Sequence, residues 1–432
     1  MTVTAAPVSN PQTSARSRSL QILGILCGFT AGAWLGAAEA PTKLVAIGIS
    51  PVVISLVMVV GVFLARWSLP ALILGTSSVR ADVARAPHLV VWALLAGCMW
   101  AVANTLTIFA IRDIGLSIAF PLWNSNSLLG IFWGFLFFHE LRRAGWKRWA
   151  GVLGGAVAMC IGGAVLAAVT ASQSNGAHSL NGVFAALGAG ALWGTMYIPY
   201  RKAYLTGMNP LSFITFFTFG ELGMMVALAV AYTGMQPLLR QLVGARGVLF
   251  WLMLGGFIWV IGDLFQQYAA KYIGISRGIP LSNTNQLWGL LWGLFVFGEL
   301  QGKSHATYAQ VIGGSLVMAL GAGAIALSSA GSDEQAKWKE AARRESERYG
   351  VARDYVEARF EGRQISDEAA PRRTWFDWLL VAGATAILLG FGWIARVPEF
   401  SFERLPALLL AAAILVLLAI TGVRLWQTTG FQ

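Results

Sequence analysis

The stretch GLSIAFPLWNSNSLLGIFWGFLFFHEL fills residues 115–141, and GISRGIPLSNTNQLWGLLWGLFVFGEL fills residues 274–300. A shift of 159 positions aligns them, and the longer segments 110–141 and 269–300 are identical at 15 of 32 positions. Apolar composition alone can explain shared Leu and Gly, but not a proline, two asparagines and a glutamate in one register. The sequence therefore predicts a duplicated unit. The matched pairs are Pro121 and Pro280, Asn124 and Asn283, Asn126 and Asn285, Trp133 and Trp292, and Glu140 and Glu299.

The chain is apolar along most of its length. Of its 432 residues 56% are hydrophobic and 12% are charged, whereas roughly a quarter of the residues of a soluble domain are charged. Apolar runs of about twenty residues recur, and each is long enough to cross a bilayer as a helix. We therefore predict an all-α polytopic membrane protein. The net charge of +11 lies mainly in loops between the runs, which favours membrane orientation over nucleic-acid binding.

The apolar runs form two sets of five. The first repeat, 20–170, contains predicted spans at 20–38, 44–66, 88–110, 116–138 and 148–170, preceded by a disordered cytoplasmic tail at 1–19. The second repeat, 182–328, contains spans at 182–204, 211–233, 248–270, 275–297 and 306–328. Because five is odd, the second repeat must be inverted in the membrane relative to the first. Inverted repeats are typical of secondary transporters, which bind substrate between the halves near the midplane.

The distribution of basic residues predicts the orientation. With the N-terminus inside, 24 of the 31 Lys and Arg residues fall in cytoplasmic segments, which indicates an inner-membrane protein with both termini in the cytoplasm. A charged segment at 331–373 is predicted to be a solvated cytoplasmic helix. Two further spans within 375–426 have no counterpart in the repeats. We expect this hairpin to pack on the core or to form a contact between copies of the chain, with a regulatory role as the alternative.

Polar side chains within the fourth and ninth spans point to a binding site. Counting about 1.5 Å per residue from each span's start puts Asn124, Asn126, Asn283 and Asn285 near the bilayer centre, from opposite sides. Amides beside indole rings suit a polyhydroxylated, uncharged ligand such as a sugar. Thr284, Gln286, Trp123, Trp133 and Trp292 complete the predicted substrate site. Interhelical hydrogen bonding by the asparagines and belt or core packing by the tryptophans are the alternatives.

The two prolines of these spans predict helix kinks. Pro121 and Pro280 cannot donate to the carbonyls of Ser117 and Ser276, which frees backbone groups beside the site. On a continuous helix Asn124 and Asn126 would lie about 200° apart, so only one of each pair is expected to face the cavity.

Acidic residues inside the spans are candidates for proton coupling. Asp263 is the first, because its counterpart in the other repeat is Asn104, and Glu221 and Glu39 follow. A hydrogen bond from Asp263 to a neighbouring helix, Gln266 or Gln267 is the alternative. Glu140 and Glu299 end their spans, so a structural role at the membrane surface is favoured for both.

No catalytic motif, nucleotide-binding loop, metal-ligand spacing or cofactor site is found, so we do not expect an enzyme. The isolated Cys27, Cys98 and Cys160 predict no disulfide.

The segment WVIGDLFQQYAAKYIGISRGIPLSNTNQLWGLLWGLFVFGEL, residues 259–300, resembles the glucose/ribose/rhamnose porter family of the drug/metabolite transporter superfamily. The resemblance covers roughly 20–328 and excludes the chain after 330. It implies ten helices in two inverted halves, a pathway lined by spans 4 and 9, and sugar uptake that is often driven by protons. The family usually has Asn where this chain has Asp263. Because Asp can be charged and Asn cannot, this departure bears on which ion is coupled to transport.

These observations together predict a secondary transporter that moves a monosaccharide or related polyol by alternating access with proton coupling. Transport of another small metabolite or drug is one alternative. A non-transporting membrane sensor or scaffold that uses residues 331–432 as its output is another.

Overall fold

The structure is a computed structural model that describes residues 11–38, 40–41, 49–114, 122–142, 144–171, 180–298, 302, 304–328, 330–360, 362–363, 373–396 and 402–431. Its helices in the first half are α1 Pro11–Ala37, α2 Pro51–Ile73, α3 Thr76–Arg85, α4 His88–Ile114, α5 Asn126–Phe138 and α6 Trp146–Ala171. The second half contains α7 Leu180–Leu205, α8 Pro210–Thr233, α9 Met235–Gly244, α10 Leu249–Ile273, α11 Ile275–Ser282, α12 Asn285–Leu291, a π-helical turn Trp292–Val296 and α13 His305–Leu327. The C-terminal helices are α14 Ser332–Tyr349, α15 Arg353–Phe360, α16 Trp375–Ile394 and α17 Arg404–Thr429.

The protein is an all-α polytopic membrane protein. Ten of the helices in the described ranges are long and apolar enough to cross a membrane: α1, α2, α4, α6, α7, α8, α10, α13, α16 and α17. Of the predicted fourth span, α5 is described as a short apolar helix, and residues 115–121 lie outside the described ranges. The predicted ninth span is divided into α11, α12 and the π-helical turn.

Two predicted boundaries are wrong. Residues 11–19 belong to α1 and not to a disordered tail, because the Ala, Gln and Arg residues there are good helix formers that extend the apolar helix. The second span begins at Pro51, a residue suited to a helix's first turn, and continues to Ile73. Arg66, the last residue of the predicted second span, therefore lies inside α2 with seven helical residues after it.

The two repeats pack on each other reciprocally. A Cβ on Gly61 of α2 would lie 2.1 Å from the carbonyl oxygen of Met253 in α10. Gly220 of α8 is the counterpart of Gly61. A Cβ on Gly220 would lie 2.1 Å from the carbonyl oxygen of Leu94 in α4. Met253 and Leu94 are themselves counterparts at the shift of 159, so the same close helix crossing occurs twice with the roles of the two repeats exchanged. Only glycine allows backbones to approach this closely.

The charged C-terminal segment packs on the core, so the prediction of a solvated helix is wrong. Glu334, Trp338, Ala342 and Ser346 of α14 are buried, and their spacing of four residues places them on one helix face. Lys337, Glu340 and Arg344 form ion pairs among themselves at exposed positions of the same helix. A sequence with few apolar residues can still be docked when the buried face carries a Glu and a Trp that find partners.

The last two helices flank the core at different places. α16 packs against α2 and α10, and α17 packs against α1 and the π-helical turn. The C-terminus is also fixed, because the carbonyl oxygen of Phe431 accepts hydrogen bonds from Asn209 Nδ2 at 2.6 Å and Tyr268 OH at 2.8 Å.

Candidate functional site

Both sequence-predicted site segments are broken at the same register position. Asn124 and Ser125 form a turn before α5, and Asn283 and Thr284 form a turn between α11 and α12. The hydroxyl of Ser125 donates to the carbonyl of Leu122 at 2.6 Å, and that of Thr284 donates to the carbonyl of Leu281 at 2.9 Å. Short polar side chains that bond the backbone three residues back compete with the helix. The break after Pro280 therefore falls at Asn283–Thr284, three residues beyond the predicted kink.

Asn124 lies in the first of these turns and Asn126 begins α5, and Ser125 between them keeps helical dihedrals (φ −56°, ψ −12°). Asn124, Asn126 and Asn283 are all buried. Buried amides need partners or ligands, because an unpaired polar group in a low-dielectric interior is costly.

Three polar side chains meet between the repeats. Asn283 Nδ2 lies 2.5 Å from Ser127 Oγ and 3.4 Å from Asn126 Oδ1. Ser127 Oγ lies 3.3 Å from Asn126 Oδ1. This cluster joins the broken ninth span to the fourth.

The residues equivalent to this cluster in the other repeat form no such bonds with one another in the described part of the chain. The counterparts of Asn283, Asn126 and Ser127 are Asn124, Asn285 and Gln286. Among the residues that the structure describes, buried Asn124 Nδ2 has no acceptor and buried Asn285 Oδ1 has no donor. The two sets of equivalent residues therefore differ: one is bonded together, whereas the other includes, within the described ranges, one amide donor and one amide acceptor without a partner.

The remaining predicted site residues lie around the breaks. Thr284 packs against α1, where a Cβ on Gly32 would lie 2.0 Å from its hydroxyl oxygen. Gln286 packs against α6, where a Cβ on Gly163 would lie 2.1 Å from its Oε1. On the same helix, Cys160 Sγ lies 3.8 Å from the carbonyl oxygen of Asn124.

The three predicted tryptophans make contacts with other aromatic and apolar groups. Trp123 packs edge-on against Trp193 of α7, with ring centroids 6.2 Å apart. Trp133 donates to Thr195 Oγ1 at 3.3 Å and stacks on Phe137, whose side chain is exposed. Trp292 lines an apolar cavity of about 280 Å³ with Trp34 and Ile414. A different indole pair, Trp100 and Trp259, lies between the repeats at 5.2 Å.

Asp263 and Glu221 share one buried arginine that the sequence analysis missed. Arg66 Nη1 donates to Glu221 Oε2 at 2.8 Å, and Nη2 donates to Asp263 Oδ2 at 2.7 Å, with all three side chains fully buried. The signal for Arg66 is that the apolar run resumes after it, at Trp67–Leu74. With both carboxylates ionised the group carries a net charge of −1.

Each carboxylate of this triad keeps one oxygen available. In the described part of the chain, Glu221 Oε1 and Asp263 Oδ1 have no hydrogen-bond partner. Gln267 Nε2 donates to Asp263 Oδ2 at 2.9 Å, so the hydrogen bond offered as the alternative role of Asp263 is also formed. Glu221 and Asp263 lie about 15 Å from the nearer ends of α8 and α10 at 1.5 Å per residue, which is close to mid-membrane.

Glu140, just beyond the end of α5, is fully buried inside the protein. Its carboxylate accepts from the backbone N–H groups of Ile275 at 3.2 Å and Ser276 at 2.9 Å, and it pairs with Arg201 Nε at 3.0 Å. A carboxylate there satisfies free N–H groups of the first turn of α11 and the positive end of its dipole. The predicted structural role of Glu140 thus takes the form of contacts with the start of α11 and an ion pair with Arg201.

Three sequence-predicted residues lie outside the described residues. They are the coupling candidate Glu39, the kink residue Pro121 and the repeated Glu299. No group of three or more potential metal ligands occurs in the ranges that the structure describes.

Residues 184–348 match a family model described as "Sugar transport protein". The match covers the second repeat and continues into α14, which corrects the expectation that the resemblance ends near residue 328. A solved structure titled "Crystal structure of protein" is similar with a TM-score of 0.41 at 16% identity, covering 69% of this chain and 96% of that chain.

Three curated relatives carry names of the same kind. A Listeria innocua protein named for sugar uptake is 23% identical over 52% of this chain and 75% of its own length. One from Listeria monocytogenes, with the same kind of name, is 22% identical over the same shares. One from Streptococcus pyogenes serotype M1, also named for sugar uptake, is 36% identical over 28% of this chain and 38% of its own length. The resemblance to a sugar-uptake transporter family is confirmed, and it points away from an enzyme.

Proposed function

We propose that this protein is a secondary transporter that carries a monosaccharide or related polyol across the cytoplasmic membrane. The observation that carries the proposal is the set of amides at the two breaks: Asn283 bonds to Ser127, whereas Nδ2 of its counterpart Asn124 has no acceptor among the described residues. A hydroxyl group both donates and accepts. One sugar hydroxyl can therefore accept from Asn124 Nδ2 while another donates to Asn285 Oδ1, which satisfies both amides without any charge on the ligand.

The proposed orientation of the protein in the membrane follows from the charges of its loops. The N-terminus and the C-terminus lie in the cytoplasm, and the two repeats are inverted in the bilayer. In this orientation α14 meets cytoplasmic helix ends, such as the C-terminal end of α7 at Arg201 and the N-terminal end of α11 at Arg277. Alternating access exchanges the closed side between the two faces as the repeats move against each other.

The triad of Arg66, Glu221 and Asp263 is the proposed proton-coupling group. Its net charge of −1 in a buried setting favours uptake of one proton, and each carboxylate has an oxygen available to hold it. Protonation neutralises the triad and weakens the attraction between α2 and either α8 or α10. A weaker tie between these helices allows them to move.

The experiment is uptake into proteoliposomes with a panel of labelled monosaccharides, with and without an inward proton gradient. We expect saturable uptake of at least one sugar and accumulation above the external concentration only with the gradient. Asp263→Asn places at position 263 the same residue type as its counterpart Asn104. In this variant sugar exchange should persist while gradient-driven accumulation is lost. Absence of flux for every sugar would overturn the substrate assignment. Unchanged accumulation in both Asp263→Asn and Glu221→Gln would overturn the coupling assignment alone.

A further inference from the structure

The C-terminal segment contains a side chain that touches both broken spans at once. Glu334 in the first turn of α14 receives two parallel hydrogen bonds from Arg277 of α11, with Nη1 to Oε1 at 2.8 Å and Nη2 to Oε2 at 2.9 Å. Its Oε1 also accepts from the backbone N–H of Leu141, which follows α5, at 2.9 Å. Glu334 and Arg277 are each only 1% exposed. One carboxylate thus joins the site-bearing spans of the two repeats.

A second contact of α14 falls on the residue that pairs with Glu140. The Arg201 guanidinium lies 4.8 Å from the ring centroid of Trp338, one turn after Glu334. Arg201 also donates to the carbonyl oxygens of Ala270 and Lys271 at 3.0 Å each. The ring of Trp338 therefore covers the guanidinium that holds Glu140 at the start of α11. A cation shielded from water by an aromatic face is held more firmly than an exposed one.

Helix α15 extends the same attachment. Tyr355 OH donates to Asp82 Oδ1 at 2.9 Å, and Asp82 Oδ2 accepts from the backbone N–H of Asn209 at 3.1 Å and from Ser212 Oγ at 2.7 Å. Burial raises the pKa of the Tyr355 hydroxyl above its usual range, with the Asp82 carboxylate adding to the shift. The phenol remains a proton donor at physiological pH, so this contact persists there. It ties α15 to α3 and to the start of α8.

We propose that α14 and α15 form a latch that holds the cytoplasmic ends of the two broken spans together and thereby limits opening of the substrate site to the cytoplasm. The inference rests on the proposed orientation and transport cycle. Inward opening must separate Leu141, in the first repeat, from Arg277, in the second. It cannot do so while both remain bonded to Glu334. Release of α14 is therefore a step of the cycle, and the strength of its attachment sets how often the cytoplasmic side opens.

A native cysteine beside the site reports this opening without any sugar. Cys160 lies against the backbone of Asn124 and is partly buried. In a Cys27→Ala/Cys98→Ala background it is the one thiol of the sequence. Its rate of reaction with a membrane-impermeant methanethiosulfonate, added to inside-out vesicles, measures access from the cytoplasmic face.

In the variants Glu334→Gln and Trp338→Ala, Cys160 should be labelled at least about fivefold faster than in the background protein. A factor of this size is typical of a shift between two states. Glu340→Gln is the matched control, since Glu340 lies on the opposite, exposed face of α14. There hydrogen bonds from Lys337 and Arg344 lower the pKa of its carboxyl to about 2. The control should label at the background rate, because its interactions do not reach the core.

Folding is checked by size-exclusion chromatography of each purified variant. If Glu334→Gln does not accumulate, the double variant Arg277→Gln/Glu334→Gln decides, because it leaves no lone buried charge. Folded variants that label at the background rate would overturn the latch. Faster labelling in a protein that moves no sugar would support the latch and overturn the sugar proposal, so the two failures are distinguishable.

Discussion

The pocket around Arg66 and its counterpart in the other repeat occupy equivalent positions with opposite chemistry. Arg66, Glu221 and Asp263 correspond at the shift of 159 to Met225, Val62 and Asn104. The first group is a buried ion triad, whereas Met225 and Val62 are buried apolar residues and Asn104 donates to Ser55 Oγ at 3.2 Å. Met225 also lines an apolar cavity of about 280 Å³ with Thr105 and Tyr232.

The neutral pocket shows that the fold does not need charge at this position. The neutral pocket is built on the same helix crossings, and buried ion pairs are weak contributors to stability compared with well-packed apolar groups. Charge retained in only one of two equivalent pockets is therefore better explained by function than by folding.

The largest effect is expected from Arg66→Met, which places the residue of the neutral pocket beside two buried carboxylates. Removing one partner of a buried ion pair costs about 3–5 kcal/mol, so detergent-solubilised protein should lose much of its stability in thermal unfolding. The triple variant Arg66→Met/Glu221→Val/Asp263→Asn reproduces the neutral pocket and should recover most of that loss. If Arg66→Met were as stable as the parent protein, Arg66 would not be needed to compensate the charges of Glu221 and Asp263.

The second largest effect is expected at Gly61 and Gly220, where the helices of the two repeats cross closely. Gly61→Ala and Gly220→Ala each push a methyl group into a backbone carbonyl of the facing helix, and overpacking of this kind costs about 1–3 kcal/mol. Because the two contacts are counterparts, the two losses should be similar. Gly223→Ala, on the exposed face of α8 with nothing within 4 Å, is the matched control and should be neutral. Very unequal losses for Gly61 and Gly220 would contradict reciprocal packing.

The smallest effect on stability is expected from substituting the equivalent asparagines Asn283 and Asn124. Asn283→Ala removes a buried hydrogen bond and should cost about 1 kcal/mol, whereas Asn124→Ala removes no bond formed with described residues and should leave stability unchanged. Sugar affinity should fall about tenfold in Asn124→Ala, which corresponds to one hydrogen bond of about 1.4 kcal/mol. Binding measured by isothermal titration checks the second value. A loss of folded protein in Asn124→Ala would favour the role of interhelical hydrogen bonding instead.

The duplication and the membrane class could be predicted from the sequence, because both depend on local patterns. Asparagines in register and apolar runs of membrane length need no knowledge of distant contacts. The helix breaks were harder, since proline was the visible signal, while the backbone bonds of Ser125 and Thr284 decide where the helix stops.

Long-range pairing could not be predicted. Arg66 resembled the usual basic end of a span, and only the positions of Glu221 and Asp263 explain why it is buried. Glu140 lies in a turn after an apolar helix, where a surface position is the ordinary expectation. Its burial depends on Arg201 and on the first turn of α11, which are 61 and 135 or more residues away along the chain. The tryptophans were assigned to the site by chemistry, while packing against Trp193, Phe137 and Trp34 decides where they lie.

The buried arginine of α2 has a consequence for biosynthesis. Its carboxylate partners follow 155 and 197 residues later in the chain. When the second span leaves the ribosome, it therefore carries an uncompensated charge, and inserting an arginine costs up to about 2.5–3.5 kcal/mol, the value at a helix centre. Val52–Val60 on one side of Arg66 and Leu69–Leu74 on the other must supply the hydrophobicity that keeps the span in the membrane until α8 and α10 arrive. The first repeat is thus inserted in a provisional state that only synthesis of the second repeat completes.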